Sequence, residues 1–559
     1  MSQTLRFMIA AVYGLLLFSG KVGYAAEMPA VDLPIPTAID RLLADSHERM
    51  RIVPARRADD RTLLRRTTLD LAGRIPTPQE IVVYEQDSAS ERQSRLVDRL
   101  LAATDYAWHL RNELDAMLLS GGNSPQEWKE YLLQTSRANQ PWDETFKDLI
   151  TPNQEDQSKR GASHFLKSRV NDLDDLTNDT SSLLFGVSIN CAKCHDHPLV
   201  EDWKQDHYYG LQAFFARTYQ TKSQRLAEKP PAELTFKTTA GVEKPSRLMF
   251  LTGATVEEPA DPRTDDQKKA DLEEVRLQRE KDDQAPPVEP AFNPRAELVR
   301  LALQPENRTF MARSIINRTW ARLMGRGLVH PVDQMHSGNP SNHPELIDWL
   351  ERDFIGHGFD VKRLIRGIVL SDAYARSSQW LYAEPQPSPD DFAVALVRPL
   401  TPNQLASSLL VGTSSPDRFQ KAFDSGGWDE LREQLEKQAA GTAKLFEYPG
   451  ENFQVSVTEA LLFNNAQRIE NDYLRISQDR LAGYMQESLR PHDSGEQAGD
   501  GEIDAMIKTA FDVVFARHAQ EDELQAFRHY FQDRGDRSPA AVQQMLWAMI
   551  TSPEFRFNY

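Results

Sequence analysis

The sequence predicts a mostly α-helical protein: two helical units joined by a small β-bearing insert and a charged linker. Three observations carry this expectation. Apolar residues recur three and four apart through most of the 559-residue chain, the stripe of amphipathic helices. Strand-like alternation is confined to one short region. Between the two helical stretches lies a run too charged and proline-rich to bury much surface.

The elements follow in chain order. The first residues carry one positive charge, Arg6, and then the apolar run FMIAAVYGLLLF at 7–18. Gly23-Tyr24-Ala25 has the small-x-small form of a signal-peptidase site, so residues 1–25 read as a cleaved signal peptide and the mature protein as exported, periplasmic or beyond. The run is shorter than the roughly 20 apolar residues of a membrane anchor, and no other segment reads as a span. The expectation is therefore no stable membrane span after cleavage. The first helical unit covers 27–217, with IDRLLADSHERM (39–50) and SRLVDRLLA (94–102) as its clearest stripes.

The insert, 218–256, contains LTFKTTAGVEKPSRLMFL (234–251), two extended runs around a glycine turn. Residues 257–292 are the charged linker, with room for one exposed helix. The second helical unit, 293–559, has PELIDWLERDFI (344–355) and VKRLIRGIVLS (361–371). Three segments, at 97–108, 364–375 and 545–556, run an apolar helix into a polar break and then an aromatic. No fixed period links them, so they read as helix ends pinned to a core rather than as a solenoid.

Composition sets outer bounds. With 40% hydrophobic residues there is material for a large core, and the net charge of −18 argues against nucleic acid, which wants a basic face. The chain has two cysteines, which cannot form a disulfide scaffold, so stability must come from burial.

Both cysteines lie in NCAKCHDHPL (190–199), as Cys191-Ala-Lys-Cys194-His195, with His197 two residues on. Three chemistries suit the pattern. Covalent haem c would use Cys191 and Cys194 for the porphyrin vinyls and His195 as proximal iron ligand. A zinc site would draw on Cys191, Cys194, His197 and His207. A redox pair of thioredoxin type wants a βαβ setting, whereas residues 171–190 read as helix. A plain Cys191–Cys194 disulfide, with no cofactor, is the bland alternative. Downstream, Trp203, Tyr208, Tyr209, Phe214 and Phe215 fit either the wall of a flat porphyrin or an ordinary core. A sixth iron ligand is not readable: His164, His207, His109, Met117 and Met50 share the unit without diagnostic spacing.

Several long stretches carry a resemblance. RRTTLDLAGRIPTPQEI (65–81) and FGVSINCAKCHDHPLVEDWKQDHYYGLQAFFAR (185–217), followed by NRTFMARSIINRTWARLMGRGLVHPVDQM (307–335), RPLTPNQL (398–405) and LWAMITSPEFRFNY (546–559), resemble the planctomycete cytochrome-associated proteins with a second module of the PSD type. The resemblance spans nearly all of the expected mature chain except the linker. It implies an exported protein named for a cytochrome-like motif, without an assigned reaction. Many relatives carry a further N-terminal cytochrome-type domain with its own CxxCH; with two cysteines in this sequence, the expectation here is a single such motif. Relatives also tend to have an acidic residue just before the paired tyrosines, where this sequence has His207 after Asp206.

In the second unit, Arg318, Trp320, Arg326, His330, Asp333, His336, Asn339, His343 and Glu345 gather in one polar stretch. Such side chains suit sugar hydroxyls or anions, and equally a long loop pinned by its own hydrogen bonds, with Ser341 and Asn342 ahead of a helix at Pro344. No catalytic triad order, nucleophile elbow, phosphate loop or HExxH motif is present. Two functions follow as expectations. One is an exported monohaem electron-transfer or redox protein with an unidentified redox partner protein, linked to polysaccharide breakdown. The other is a haem-free helical binding or scaffold protein with a structural CxxC disulfide or metal site.

Overall fold

The computed structural model describes residues 29–30, 32–121, 123–196, 200–231, 234–281, 290, 292–449, 466–489, 499–534 and 539–559. The expected signal segment, residues 1–25, and His197 lie outside them. The described chain is mostly helical, with four small two-stranded sheets.

Local rules place the helix ends. The helix Asp60–Ala72 starts where the Asp59 carboxylate accepts the Thr62 amide and stops at Gly73, whose left-handed φ of 69° turns the chain out. Thr77 and Glu80 form a reciprocal capping box for Pro78–Gln86, and Thr401 with Gln404 does the same for Pro402–Gly412. At the helix Pro344–Gly356 the N-cap is His343; Ser341 instead accepts the His343 amide and donates to Leu328 O. The three aromatics expected to pin helix ends, Tyr106, Tyr374 and Phe555, are all buried.

The insert is built of three antiparallel hairpins. Thr235–Lys237 pairs with Glu243–Pro245 around the Gly241 turn, as the sequence pattern suggested. Thr218–Gln220 with Leu226–Glu228, and Leu248–Met249 with Thr255–Val256, are too short to leave a visible alternation. The linker does hold a helix, Asp265–Glu280, opened by a Thr264/Gln267 capping box and mostly exposed. A fourth pairing, Arg398–Pro399 with Phe557–Asn558, ties the last residues to the middle of the second unit.

The cores do not divide at the linker. One hydrophobic core runs from Ile35 through Phe250 and on to Phe392, so the first unit and the start of the second share it. The other gathers residues from Leu400 onward. The helix Asp60–Ala72 lies between them: Leu64 and Leu71 enter the first core, Leu69 the second.

Polar side chains of that same helix lock the arrangement. Arg65 donates to Glu554 O and Phe555 O, and Arg66 to Tyr374 O, Arg376 O and Tyr559 O. Asp70, 3% exposed, accepts both Nη atoms of Arg398, the Tyr374 hydroxyl and Asn558 Nδ2. Just beyond the helix, Arg74 forks onto Glu80 and reaches Asp105. Buried arginines of this kind need several acceptors each to offset desolvation. Here they are mostly backbone carbonyls and carboxylates from distant parts of the chain.

Candidate functional site

The CxxCH segment follows a helix, Leu173–Asp179, that runs directly into a π-helical turn at Thr180–Leu184. Such turns cluster at functional sites because they widen the backbone and re-aim the residues beyond them. Gly186 then reverses direction with φ 70°; a Cβ there would meet the Met335 side chain at 2.4 Å. Residues 190–193 form a 3₁₀ turn, Asn190–Lys193, with Ala192 buried beneath it.

A 3₁₀ turn has three residues per turn, so side chains three apart eclipse one another. Cys191 stands in the turn and Cys194 is its C-cap, so the two thiols lie one turn apart on the same side. Both are free and exposed. His195 follows, also exposed, and its Nδ1 lies 2.7 Å from the Asp196 carbonyl oxygen. As a donor to that oxygen, Nδ1 carries the proton and Nε2 keeps its lone pair, the tautomer a metal ligand requires.

The turn is held from below by the helix Gln205–Ala213. The Lys193 carbonyl accepts the Tyr209 hydroxyl at 3.1 Å and Gln205 Nε2 at 3.2 Å, and Asp196 Oδ1 accepts the Gln205 amide at 3.0 Å. The Lys193 ammonium pairs with Asp174, which also accepts the Tyr208 hydroxyl and Gln212 Nε2. That hydrogen bond to Asp174 raises the Lys193 ammonium above its ordinary value. Burial acts to raise the Asp174 carboxyl, but the donors around it outweigh burial and hold it below its ordinary range.

Of the downstream aromatics, Trp203, Tyr208, Phe214 and Phe215 belong to the hydrophobic core. Tyr209 is half-buried and stacks on Phe236 of the insert, with ring centroids 4.2 Å apart and planes at 11°. The insert thus buttresses the helix that carries the turn; Ser246 donates to Tyr209 O and Lys244 pairs with Asp206.

His207 sits at the first turn of that helix. Its Nδ1 accepts the Lys204 amide at 3.1 Å, its ring packs edge-on against Trp203, and burial lowers its pKa. The Nδ1 lone pair is therefore engaged in capping, and only Nε2 is open to a metal. Among the described residues no three His, Cys, Asp or Glu side chains converge as a metal cluster.

The donor set fits a covalently held haem: two eclipsed exposed thiols and an imidazole with Nε2 available.

The polar stretch of the second unit reaches this site, in a way that sequence spacing does not reveal. Arg318 donates to Ser182 O within the π turn, Ser188 N–H to Asp333 O, and Met335 N–H to Gly186 O. Four of its other members are engaged inside the fold. Trp320 is fully buried, Arg326 pairs with Asp390, His343 Nε2 meets Asp390 O, and Asn339 Nδ2 donates to Gln334 O and His330 O. Those side chains hold the loop. A cavity of about 570 Å³ between the insert and the linker helix, walled by Arg217, Tyr219, Pro230, Glu258, Gln278 and Phe292, includes none of the motif residues. The chemistry of the cysteines and His195 outweighs its size.

Residues 38–220 match the family PSCyt2, described as a protein of unknown function (DUF1549). Residues 294–443 match PSD1, likewise a protein of unknown function (DUF1553). No curated protein and no solved structure matches the chain.

Proposed function

We propose, for a chain that carries a PSCyt2 domain followed by a PSD1 domain, that the CxxCH segment is a haem c attachment site. The protein is then an exported, monohaem cytochrome-like protein with an electron-transfer or redox role. The observation that carries the reading is the 3₁₀ turn itself. It sets Cys191 and Cys194 on one side, free and exposed, while the Asp196 carbonyl at His195 Nδ1 leaves Nε2 available.

A haem held there supplies a one-electron couple whose potential follows its axial ligands and surroundings. The chain's own residues supply attachment and rigidity. Cys191 and Cys194 are the attachment points and His195 the proximal ligand; Tyr209 and Gln205 fix the turn from the helix below, and Asp174 from the helix Leu173–Asp179. The N-terminal apolar run supports export, and no helix among the described residues is long and apolar enough to cross a membrane.

Expression with a cytochrome c maturation system tests the reading. The purified protein is expected to show a Soret band that survives denaturation, as covalent haem does. Cys191→Ser with Cys194→Ser abolishes it, and His195→Ala keeps the covalent haem but loses the native axial field. A colourless wild type, with its cysteines bridged or holding zinc, overturns the proposal in favour of a haem-free scaffold.

A further inference from the structure

The backbone that leads into the two cysteines is held by the second half of the chain. The π turn Thr180–Leu184 ends a helix, and the last carbonyls of a helix have no partner along it. Two of them are taken by side chains of the helix Arg308–Met324. Ser182 O accepts Arg318 Nη2 at 2.7 Å, and Leu183 O accepts the Ser314 hydroxyl at 3.1 Å. Ser314 and Arg318 stand one turn apart, so a single face of that helix meets the π turn. The approach is close: a Cβ on Gly186 would lie 3.3 Å from Ser314 Cβ. The loop after the helix continues the contact. Met335 N–H donates to Gly186 O at 3.1 Å, Ser188 N–H donates to Asp333 O at 2.7 Å, and Val187 bridges Gln334. Cys191 comes three positions after Ser188.

The holding element is itself stiff. Asn317, between Ser314 and Arg318, donates from Nδ2 to Val329 O and accepts Val329 N–H at Oδ1, which fastens the loop to the helix. Asn339 then ties Gln334 O and His330 O. Arg318 is the charged member of the set. Burial lowers the pKa of its guanidinium, and the Asp333 carboxylate works the other way. A charged donor makes a stronger bond to the Ser182 carbonyl than a neutral one.

A cofactor attached through side chains keeps its geometry only if the backbone beneath those side chains is held, to within about 0.5 Å in a working site. Downstream of the cysteines, that hold comes from the first unit, where Gln205 and Tyr209 donate to Lys193 O. Upstream it comes from Ser314, Arg318 and the 333–335 loop.

We propose that Arg318 is a positioning residue of the haem c site: by holding the π turn it sets where the Cys191–His195 segment stands, and the PSD1 region thereby shares in building the redox centre. This rests on the haem reading above and adds to it the residue through which the second domain acts.

The test uses the full chain and two readouts. In the haem-free protein, amide hydrogen exchange across residues 185–193 should quicken in Arg318→Met and stay slow in Arg318→Lys. In the haem-loaded protein, the reduction potential is read by a redox titration of the visible bands. Outer partners of a metal ligand are worth about 10–100-fold in hold on the metal. Arg318 acts one step further out, so the lower end applies: a tenfold change in the ferrous-to-ferric ratio, about 59 mV for one electron. The shift is downward, because a loosened turn admits water and a lost cation favours the ferric charge. Ser314→Ala, which removes a neutral bond, should shift the same way by less, and it carries the same test if Arg318→Met does not fold. Arg318→Lys keeps a charged donor for a single bond and should stay near wild type. Asp70→Asn, which disturbs the fold outside the site, should leave the potential unchanged. An Arg318→Met protein with the wild-type potential, or with a shift that Asp70→Asn matches, overturns the positioning role and leaves haem attachment standing. Unchanged exchange in Arg318→Met overturns it as well. A wild type without a Soret band overturns the haem reading, and this inference with it.

Discussion

Removing the Asp70 carboxylate should destabilise both cores at once. Asp70 accepts Arg398 at 3.0 and 2.8 Å, the Tyr374 hydroxyl at 2.7 Å and Asn558 Nδ2 at 3.0 Å, and it is almost wholly buried. Asp70→Ala leaves the Arg398 guanidinium, only 17% exposed, without its counter-charge, and strands two further donors. Breaking a buried pair in this way costs about 3–5 kcal/mol, most of it from the charge left behind. Asp70→Asn keeps an acceptor and the volume but loses the charge, so about 2 kcal/mol is expected. Adding Arg398→Met to Asp70→Ala should recover a large part of the loss, because the orphaned charge is then gone. The assay is equilibrium urea unfolding followed in parallel by far-UV circular dichroism and tryptophan fluorescence. Leu69 and Leu71 flank Asp70 and point into different cores, so both probes should move together. A loss within about 0.5 kcal/mol, the range of an ordinary surface substitution, would refute the reasoning. So would strict additivity of the double variant.

Two further outcomes concern the same region. His109 is held well below its ordinary value of 6.5, first by burial and then by Arg322 and Arg432. The unfolded chain therefore binds a proton that the folded chain refuses, and stability is lost as pH falls below about 6.5, by up to about 1.4 kcal/mol per pH unit. His47 and His343, also lowered by burial, add to that slope, and His109→Gln should reduce it by about one proton in unfolding measured across that range. Gly73→Ala forces a left-handed φ of 69° and sets a Cβ 2.6 Å from His109 Nδ1. A loss of about 2–4 kcal/mol is expected in thermal unfolding. Gly441→Ala, within the helix Trp428–Ala443 and facing open space, should gain about 0.5–1 kcal/mol.

Local signals determined a good part of this protein. Helix periodicity, the Thr77/Glu80 and Thr401/Gln404 caps and the Gly241 turn act between residues a few positions apart, so the class of fold and many element ends were legible in the chain itself. The CxxCH pattern was legible for the same reason, and it named Cys191, Cys194 and His195. The pairing of distant surfaces was not. Arg65, Arg66 and Asp70 read as part of a resemblance; only the folded chain shows them spanning some 300 to 490 positions to hold two cores around one helix. The aromatics after the motif fitted a cofactor wall or a core equally well, because a helical stripe of rings is the same pattern in both; tertiary packing put four of the five in the core. The polar stretch around His336 looked like a loop or a sugar site in sequence. Its bonds to Gly186, Ser188 and Asp202 cross more than 130 positions, and no local spacing encodes a contact whose two sides are written so far apart.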